Sequence, residues 1–412
     1  MLFKVALASL LNRKLTALLT TLTIAVSVFV LLGVEHIRVE ARQSFSKTVS
    51  GVDLIVGART GQINLLLYSI FHMGSATNNV SWSSYQKLAQ HPQVAWHVPV
   101  SLGDSHKGYR VVGTSDDYFK YFKYGKKQSL AFAKGQAFDD VYDAVMGAEV
   151  ANKLGYQLND DIEVSHGVAE ISFKKHDDHP FKVVGILKPT GTPVDRSIMV
   201  NLKAIEVIHQ DKTHAQDHHA DHEDEDELVP KFISAFMLGL KSRVATFIVQ
   251  RDINNFSDEA LLAIIPGVAL SELWQMMGML EKILALIAML VLVASLLGMI
   301  TMLLASMKER SREIAVLRAI GAHASFIFLM VELEALLMTF TGVVLGSVVL
   351  SISLLLSQGW ISSEYGLFID VNLFSATSLY YFSGILIIAG LLALLPALMA
   401  YRSSLARGLA AK

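Results

Sequence analysis

Residues 306–322 read SMKERSREIAVLRAIGA, a charged island between two long apolar runs. Wound as one helix, the island sets Ile314, Leu317 and Gly321 on one stripe and spreads Glu309, Arg310, Arg312, Glu313 and Arg318 around the rest. That pattern is amphipathic and too polar to cross a bilayer. Lys308, Arg310, Arg312 and Arg318 crowd a short connection, which the positive-inside rule assigns to the cytoplasmic side. On pattern alone the island is equally a surface helix joining two spans.

Working outward, the 412 residues are 52% hydrophobic, with a mean hydropathy of +0.44. This is a membrane protein's composition, and the apolar residues gather at the two ends of the chain. Lys4, Arg13 and Lys14 precede residues 15–34, LTALLTTLTIAVSVFVLLGV, which carry no charge and are long enough for about 30 Å of hydrocarbon. A cleaved signal peptide would have a shorter apolar core and a small-residue cleavage site, so the segment reads as a retained anchor. Apolar residues recur once per turn through Ile37, Ala41, Phe45 and Val49, extending the first span outward as a stalk.

Beyond Pro266 and Gly267, residues 268–307 are apolar and helical over about 60 Å, twice the hydrocarbon thickness. Glu272, Gln275, Glu281 and Lys282 mark the protruding half, a second stalk that enters the membrane near Lys282. Two further spans fall near residues 326–356 and 379–400, joined by an outside loop, 357–378, without Lys or Arg. Arg402, Arg407 and Lys412 then end the chain inside.

The segment between the first two spans changes character. Runs rich in β-branched residues, at 52–56, 109–112, 181–187 and 244–250, read as strands. They alternate with helical patterns at 84–90, 149–154 and 202–208. Turns are marked by Asn159–Asp160 and by the Pro-Thr-Gly-Thr-Pro run that ends at Pro193. The expected fold is therefore an α-helical membrane protein with four transmembrane helices and a large extracytoplasmic α+β domain inserted between helices 1 and 2. Its segments are 1–49 (first span and stalk), 50–255 (the outside domain, as two subdomains), 256–307 (second stalk and span), 308–322 (the cytoplasmic helix) and 323–412 (spans three and four with a short tail).

Several chemistries are excluded. The net charge of −2, and the lack of basic tracts interleaved with aromatics, leave no nucleic-acid surface. Cysteine is absent, so there is no disulfide framework or thiol chemistry. No G-x-x-x-x-G-K-[ST] phosphate loop occurs, so no nucleotide-hydrolysing motif is read in this sequence. His222–Glu223 begins HEDED rather than H-E-x-x-H, no G-x-S-x-G elbow is present, and no enzyme is expected.

In the third span, Glu332 and Glu334 read either as intramembrane carboxylates with a coupling or packing role or as residues at the inner boundary within reach of water and Arg318. Gly342 with Gly346 forms a G-x-x-x-G pair that fits packing within one protomer or a dimer seam. Pro396 interrupts the fourth.

Thirteen of the fourteen histidines lie between residues 36 and 222, and five of them fall in 209–227, HQDKTHAQDHHADHEDEDE. His214, His218 and His222 recur at i, i+4 and i+8, with His219, Asp217 and Asp221 beside them, a donor set suited to zinc or nickel. His176, Asp177, Asp178 and His179 form a smaller cluster. The same composition also describes a solvated loop that cannot pack.

Residues 308–322, KERSREIAVLRAIGA, resemble the loop of the MacB/FtsX family of ABC transporter permeases (type VII), which carries K-E-R-x-x-E-I-A-x-L-R-A-x-G-A. Further matching segments are Asn12-Arg13-Lys14-Leu15, residues 111–119 (VVGTSDDYF), 145–164 with Gly147 and Gly155, 181–200, and 334–346 (EALLMTFTGVVLG). The resemblance implies a multi-pass permease of the bacterial inner membrane with both termini cytoplasmic. It would work as a homodimer or with a related permease, alongside two copies of a separate ATPase. Glu309, Arg310, Arg312, Glu313, Leu317, Arg318 and Gly321 would meet a groove of that ATPase, and stalk motion would pass to the outside domain in place of transport through a channel.

Two functions stay open. One is a transporter subunit, inclined by the histidines toward zinc traffic with an extracytoplasmic adaptor or metal-binding protein, or exporting lipoprotein, peptide or drug. The other is an ATP-gated regulator of an outside partner such as a cell-wall hydrolase.

Overall fold

The computed structural model describes residues 2–48, 50–166, 180–210, 229–309, 311–365 and 376–409. The chain opens with α1 (Leu2–Asn12) and α2 (Lys14–Thr48). There follow β1 (Leu54–Ala58), α3 (Gln62–Ile70), β2 (Val80–Ser81), α4 (Trp82–Ala89), β3 (Val94–His106), β4 (Tyr109–Thr114), α5 (Asp117–Tyr121), β5 (Lys123–Tyr124), β6 (Gln128–Ser129) and β7 (Phe132–Gly135). Next come β8 (Asp143–Met146), α6 (Ala148–Leu154), β9 (Asp161–Ile162), β10 (Ser165–His166), β11 (Phe181–Leu187), β12 (Ser197–Asn201), α7 (Leu202–Gln210), β13 (Phe232–Ile233), β14 (Ala235–Leu240), α8 (Thr246–Asn254) and β15 (Leu261–Ile264). The last helices are α9 (Pro266–Glu309), α10 (Ser311–Ala319), α11 (Ala324–Tyr365) and α12 (Ala376–Leu409).

Among the described residues, four helical segments are long and apolar enough to cross a membrane: Lys14–Ser46, Pro266–Met307, Ala324–Gln358 and Ser378–Arg402. The chain divides into two compact units. One is helical (Met1–Glu40, Gly278–Trp360, Ile369–Lys412), and the other carries the sheet (Ala41–Met277, Ile361–Phe368).

In the sheet unit, one mixed sheet runs β15-β1-β14-β3-β4-β12-β8-β11-β7, with β9 added to β11 and β10 to β3. Pairs β4/β12 and β8/β11 are parallel, and the other neighbours are antiparallel. Strand alternation sends side chains to both faces, and both are covered. Ile55, Val98, Val112, Met199 and Met237 share one core with Leu65 and Tyr68 of α3 and with Ala269 and Leu270 at the start of α9. On the other side, Leu54, Val56, Phe236 and Leu238 pack with Tyr85 of α4 and Val249 and Ile253 of α8. Farther along the sheet, Ala144, Met146, Ile198 and Val200 meet Val150 of α6 and Ala204 of α7.

The strand expected at 181–187 is β11, and those expected at 52–56 and 109–112 become β1 and β4 with shifted ends. Residues 244–250, expected as a strand, are instead a 3-10 turn (Arg243–Ala245) leading into α8. There β propensity loses to packing, because Ala245, Val249 and Ile253 recur at helical spacing and are buried, while Val244, Phe247 and Ile248 are exposed. Strand β15 lies past the expected boundary at 255, pairing along β1. Its outer edge is closed by α8: Asn254 Oδ1 accepts from Ala263 N at 2.7 Å, and Gln250 Nε2 donates to Ala263 O at 3.0 Å.

Candidate functional site

The charged island is helical on either side of Arg310, which lies outside the described residues. Helix α9 runs to Glu309, and α10 begins at Ser311. Helix α10 closes with a Schellman turn in which Gly321 N donates to Arg318 O (3.1 Å) and Ala322 N to Leu317 O (3.0 Å). Gly321 has a φ of +99°, a left-handed conformation that glycine adopts without the penalty a Cβ brings. Arg318 Nη1 donates to Ala322 O at 3.1 Å, so this guanidinium also serves the turn.

Ile314 packs on Ile327 and Val331 of α11 and on Ala397 and Ala400 of α12, joined by Met307. That contact seats α10 against the ends of two spans. Leu317 is half-buried, whereas Val316 and Ile320, which the charge pattern did not single out, are 61% and 76% exposed. They stand one turn apart, an apolar pair left uncovered among the described residues. Glu309 pairs with Arg13 at 3.7 Å, linking the end of α9 to the start of the first span. The side chains of Arg310, Arg312 and Glu313 lie outside the described residues.

Within the spans, the G-x-x-x-G pair packs inside the protomer. A Cβ on Gly342 would stand 2.7 Å from Ile24 Cγ2, and one on Gly346 would stand 2.5 Å from Ala25 O. These glycines let α11 approach the backbone of α2. Ser27 Oγ donates to Thr23 O (2.8 Å) and lies 3.4 Å from Val291 O on α9, while Thr339 Oγ1 lies 3.5 Å from Met299 Sδ. A second small-residue stripe was not foreseen: Ala389, Ala393 and Ala397 are buried at four-residue intervals along α12. Glu334 is 2% exposed. Glu332 Oε2 finds no hydrogen-bond partner among the described residues, and a Cβ on Gly390 would stand 3.4 Å from Glu332 Oε1.

Both long helices are anchored outside their uncharged stretches, residues 15–34 of α2 and those after Lys282 of α9. In the helical unit, Arg38 on α2 bridges Glu35 (2.6 Å) and Glu281 on α9 (3.8 Å). In the sheet unit, Phe45 packs between Phe71 (tilted, centroids 4.7 Å apart) and Trp274 (edge-to-face, 5.6 Å), with the Arg42 guanidinium 5.4 Å over the Trp274 ring. The two stalks thus meet each other and the core through aromatic rings.

The histidine-rich run, with His214, His218, His219, His222, Asp217 and Asp221, lies outside the described residues, as do His176, Asp177, Asp178 and His179. Elsewhere, among the described residues, no group of three His, Asp or Glu is arranged to hold a metal ion.

Residues 17–256 match the family description of the MacB-like periplasmic core domain, and residues 285–405 match the FtsX-like permease C-terminal domain. The chain is similar in structure to the periplasmic region of MacB from Actinobacillus actinomycetemcomitans, at 10% identity and a TM-score of 0.35, covering 56% of this chain and 97% of that one. It is also similar to the extracellular domain of the noncanonic ABC-type transporter YknZ from Gram-positive bacteria, at 12% identity and a TM-score of 0.31, covering 52% and 98%. Comparison with curated proteins gives no match.

Proposed function

The chain belongs to the MacB/FtsX-type permeases of ABC transporters, and on that premise we propose that it is the membrane subunit through which a separate ATPase drives an extracytoplasmic domain. Its setting would be the bacterial inner membrane, with both termini and α10 cytoplasmic, since Lys and Arg crowd residues 4–14, 308–318 and 402–412. It would act with two ATPase copies and with a second permease, either its own copy or a relative.

One observation carries the reading. Helix α10 is seated on α11 and α12 through Ile314 and leaves Val316 and Ile320 exposed, which is the form of a segment held rigidly by its own chain for a partner to grip. Unbroken α2 and α9 supply levers, and the Phe45–Trp274 contact supplies their attachment to the core. In this mechanism the ATPase closes, α10 moves with it, and the stalks shift the sheet unit without opening a pore.

The test is co-purification of the permease with its ATPase. Replacing Val316 and Ile320 by Asp is expected to abolish the complex while leaving membrane insertion unchanged. A doubly substituted permease that still recruits and stimulates the ATPase would remove the reading.

The histidine-rich run supports a second element of the proposal, zinc traffic at the outer face with a metal-binding or adaptor protein as partner. Its support is compositional: neutral imidazoles are good zinc ligands, and neighbouring carboxylates add charge and oxygen donors.

A further inference from the structure

Helix α8 is apolar on two sides. Its inner stripe fills the core, yet Val244, Phe247 and Ile248 on the other side are 80%, 71% and 58% exposed. Phe247, Ile248 and Arg251 share one helical face, with Val244 in the 3-10 turn just before it. A helix surrounded by water would carry polar residues there, so this face is built to be covered.

Cations border the patch. Lys241, Arg243 and Arg251 are exposed, and Arg243 and Arg251 make no side-chain hydrogen bond or ion pair among the described residues. Asp252, the acid on the same helix, lies 3.7 Å from His91 Nε2. A second copy docked through the same face would set these guanidinium groups against each other, which disfavours self-association.

The position of the patch follows from strand register. Leu238 lies opposite Leu54, and Ile264 opposite Ile55, so the end of β14, the start of β1 and the end of β15 share one end of the sheet. Leu240 N donates to Asp53 Oδ2 at 2.8 Å, which pins the chain there just before the 3-10 turn. At this same end the chain enters β1 after α2 and leaves β15 into the start of α9.

We propose that the Val244, Phe247 and Ile248 patch, with Arg243 and Arg251, is a contact surface for anionic phospholipid headgroups. The apolar side chains enter the interfacial layer, and the guanidinium groups pair with phosphates. This goes beyond coupling to an ATPase and does not depend on it.

The absence of native cysteine makes the test direct. Full-length chain carrying Ile248→Cys, labelled with an environment-sensitive fluorophore, is placed in nanodiscs of phosphatidylcholine alone or mixed with an equal part of phosphatidylglycerol, and in detergent. A label at Ala133→Cys, exposed on β7, is the reference. Quenching by acrylamide at position 248 is expected to fall severalfold only in the phosphatidylglycerol bilayer. The protection should vanish in R243E/R251E and at high salt. Equal quenching in all three settings overturns the proposal, as does equal protection in both bilayers. Protection in detergent would assign the patch to a protein contact and overturn it as well.

Discussion

His72 carries the clearest proton linkage in the sheet unit. It is buried with a φ of +54°, and its Nδ1 lies 2.7 Å from Ser197 Oγ. The Ser197 hydroxyl donates to Pro193 O (3.0 Å), so the imidazole is the donor of the pair. Burial, and then the Arg110 charge, push the His72 pKa down to about 4. A group whose folded pKa is depressed below its unfolded value resists protonation only when folded. Stability is therefore complete above the unfolded pKa near 6.5 and falls as pH drops toward 4, by about 3 kcal/mol in all. The apparent melting temperature of the parent should fall across that window. His72→Asn should flatten the slope, since asparagine tolerates positive φ and does not titrate. His97 and His106, also lowered by burial, leave a remainder. An unchanged slope in the variant would mean that His72 protonates without cost. At the same scale, calorimetry on the full chain tests the zinc proposal. Replacing His214, His218, His219 and His222 by Ala should remove most zinc binding, with parental binding weakening below about pH 6 as imidazoles protonate. Parental binding by the quadruple variant would withdraw zinc from the proposal.

At the scale of the element, α10 separates two kinds of apolar side chain that the sequence does not distinguish. Ile314 is held among Ile327, Val331, Ala397 and Ala400, whereas Val316 and Ile320 face outward. Ile314→Asp should lower the thermal stability of the permease itself, by the few kcal/mol typical of an unpaired buried charge. Val316→Asp with Ile320→Asp should leave that stability within about 0.5 kcal/mol and act on the ATPase alone. Thermal denaturation of the solubilised permease, run beside co-purification, distinguishes the two, and matching losses of stability would deny α10 its two faces. Helix α8 teaches the complementary lesson. Its run of β-branched and aromatic residues reads as a strand because half of them are on the exposed side, which obscures the helical period of the buried half. Gly321 was legible from its place at the end of the island, but the reason, a Schellman turn at φ +99°, needed the backbone.

For the whole molecule the open quantity is orientation. Ala133→Cys on β7 should react with an impermeant thiol reagent in intact spheroplasts, and Ala319→Cys on α10 only after lysis. Equal labelling of both before lysis would reverse or dissolve the proposed topology. Four spans, an amphipathic connection and a large inserted domain were all legible along the chain, because the length of an apolar run and the bias of Lys and Arg are one-dimensional signals that no folding can alter. Sequence alone left open whether Gly342 and Gly346 face a partner or their own protomer, and Ala25 and Ile24 answer that only once α11 lies against α2. It could not order the sheet either, since β1 pairs Leu54 with Leu238 and Ile55 with Ile264, partners about two hundred residues away whose identity depends on closing the whole loop between them. Apolar patterning determined which segments enter the membrane and which fold in water, and tertiary packing decided which face of each helix is covered, because burial is a property of neighbours that the linear order does not contain.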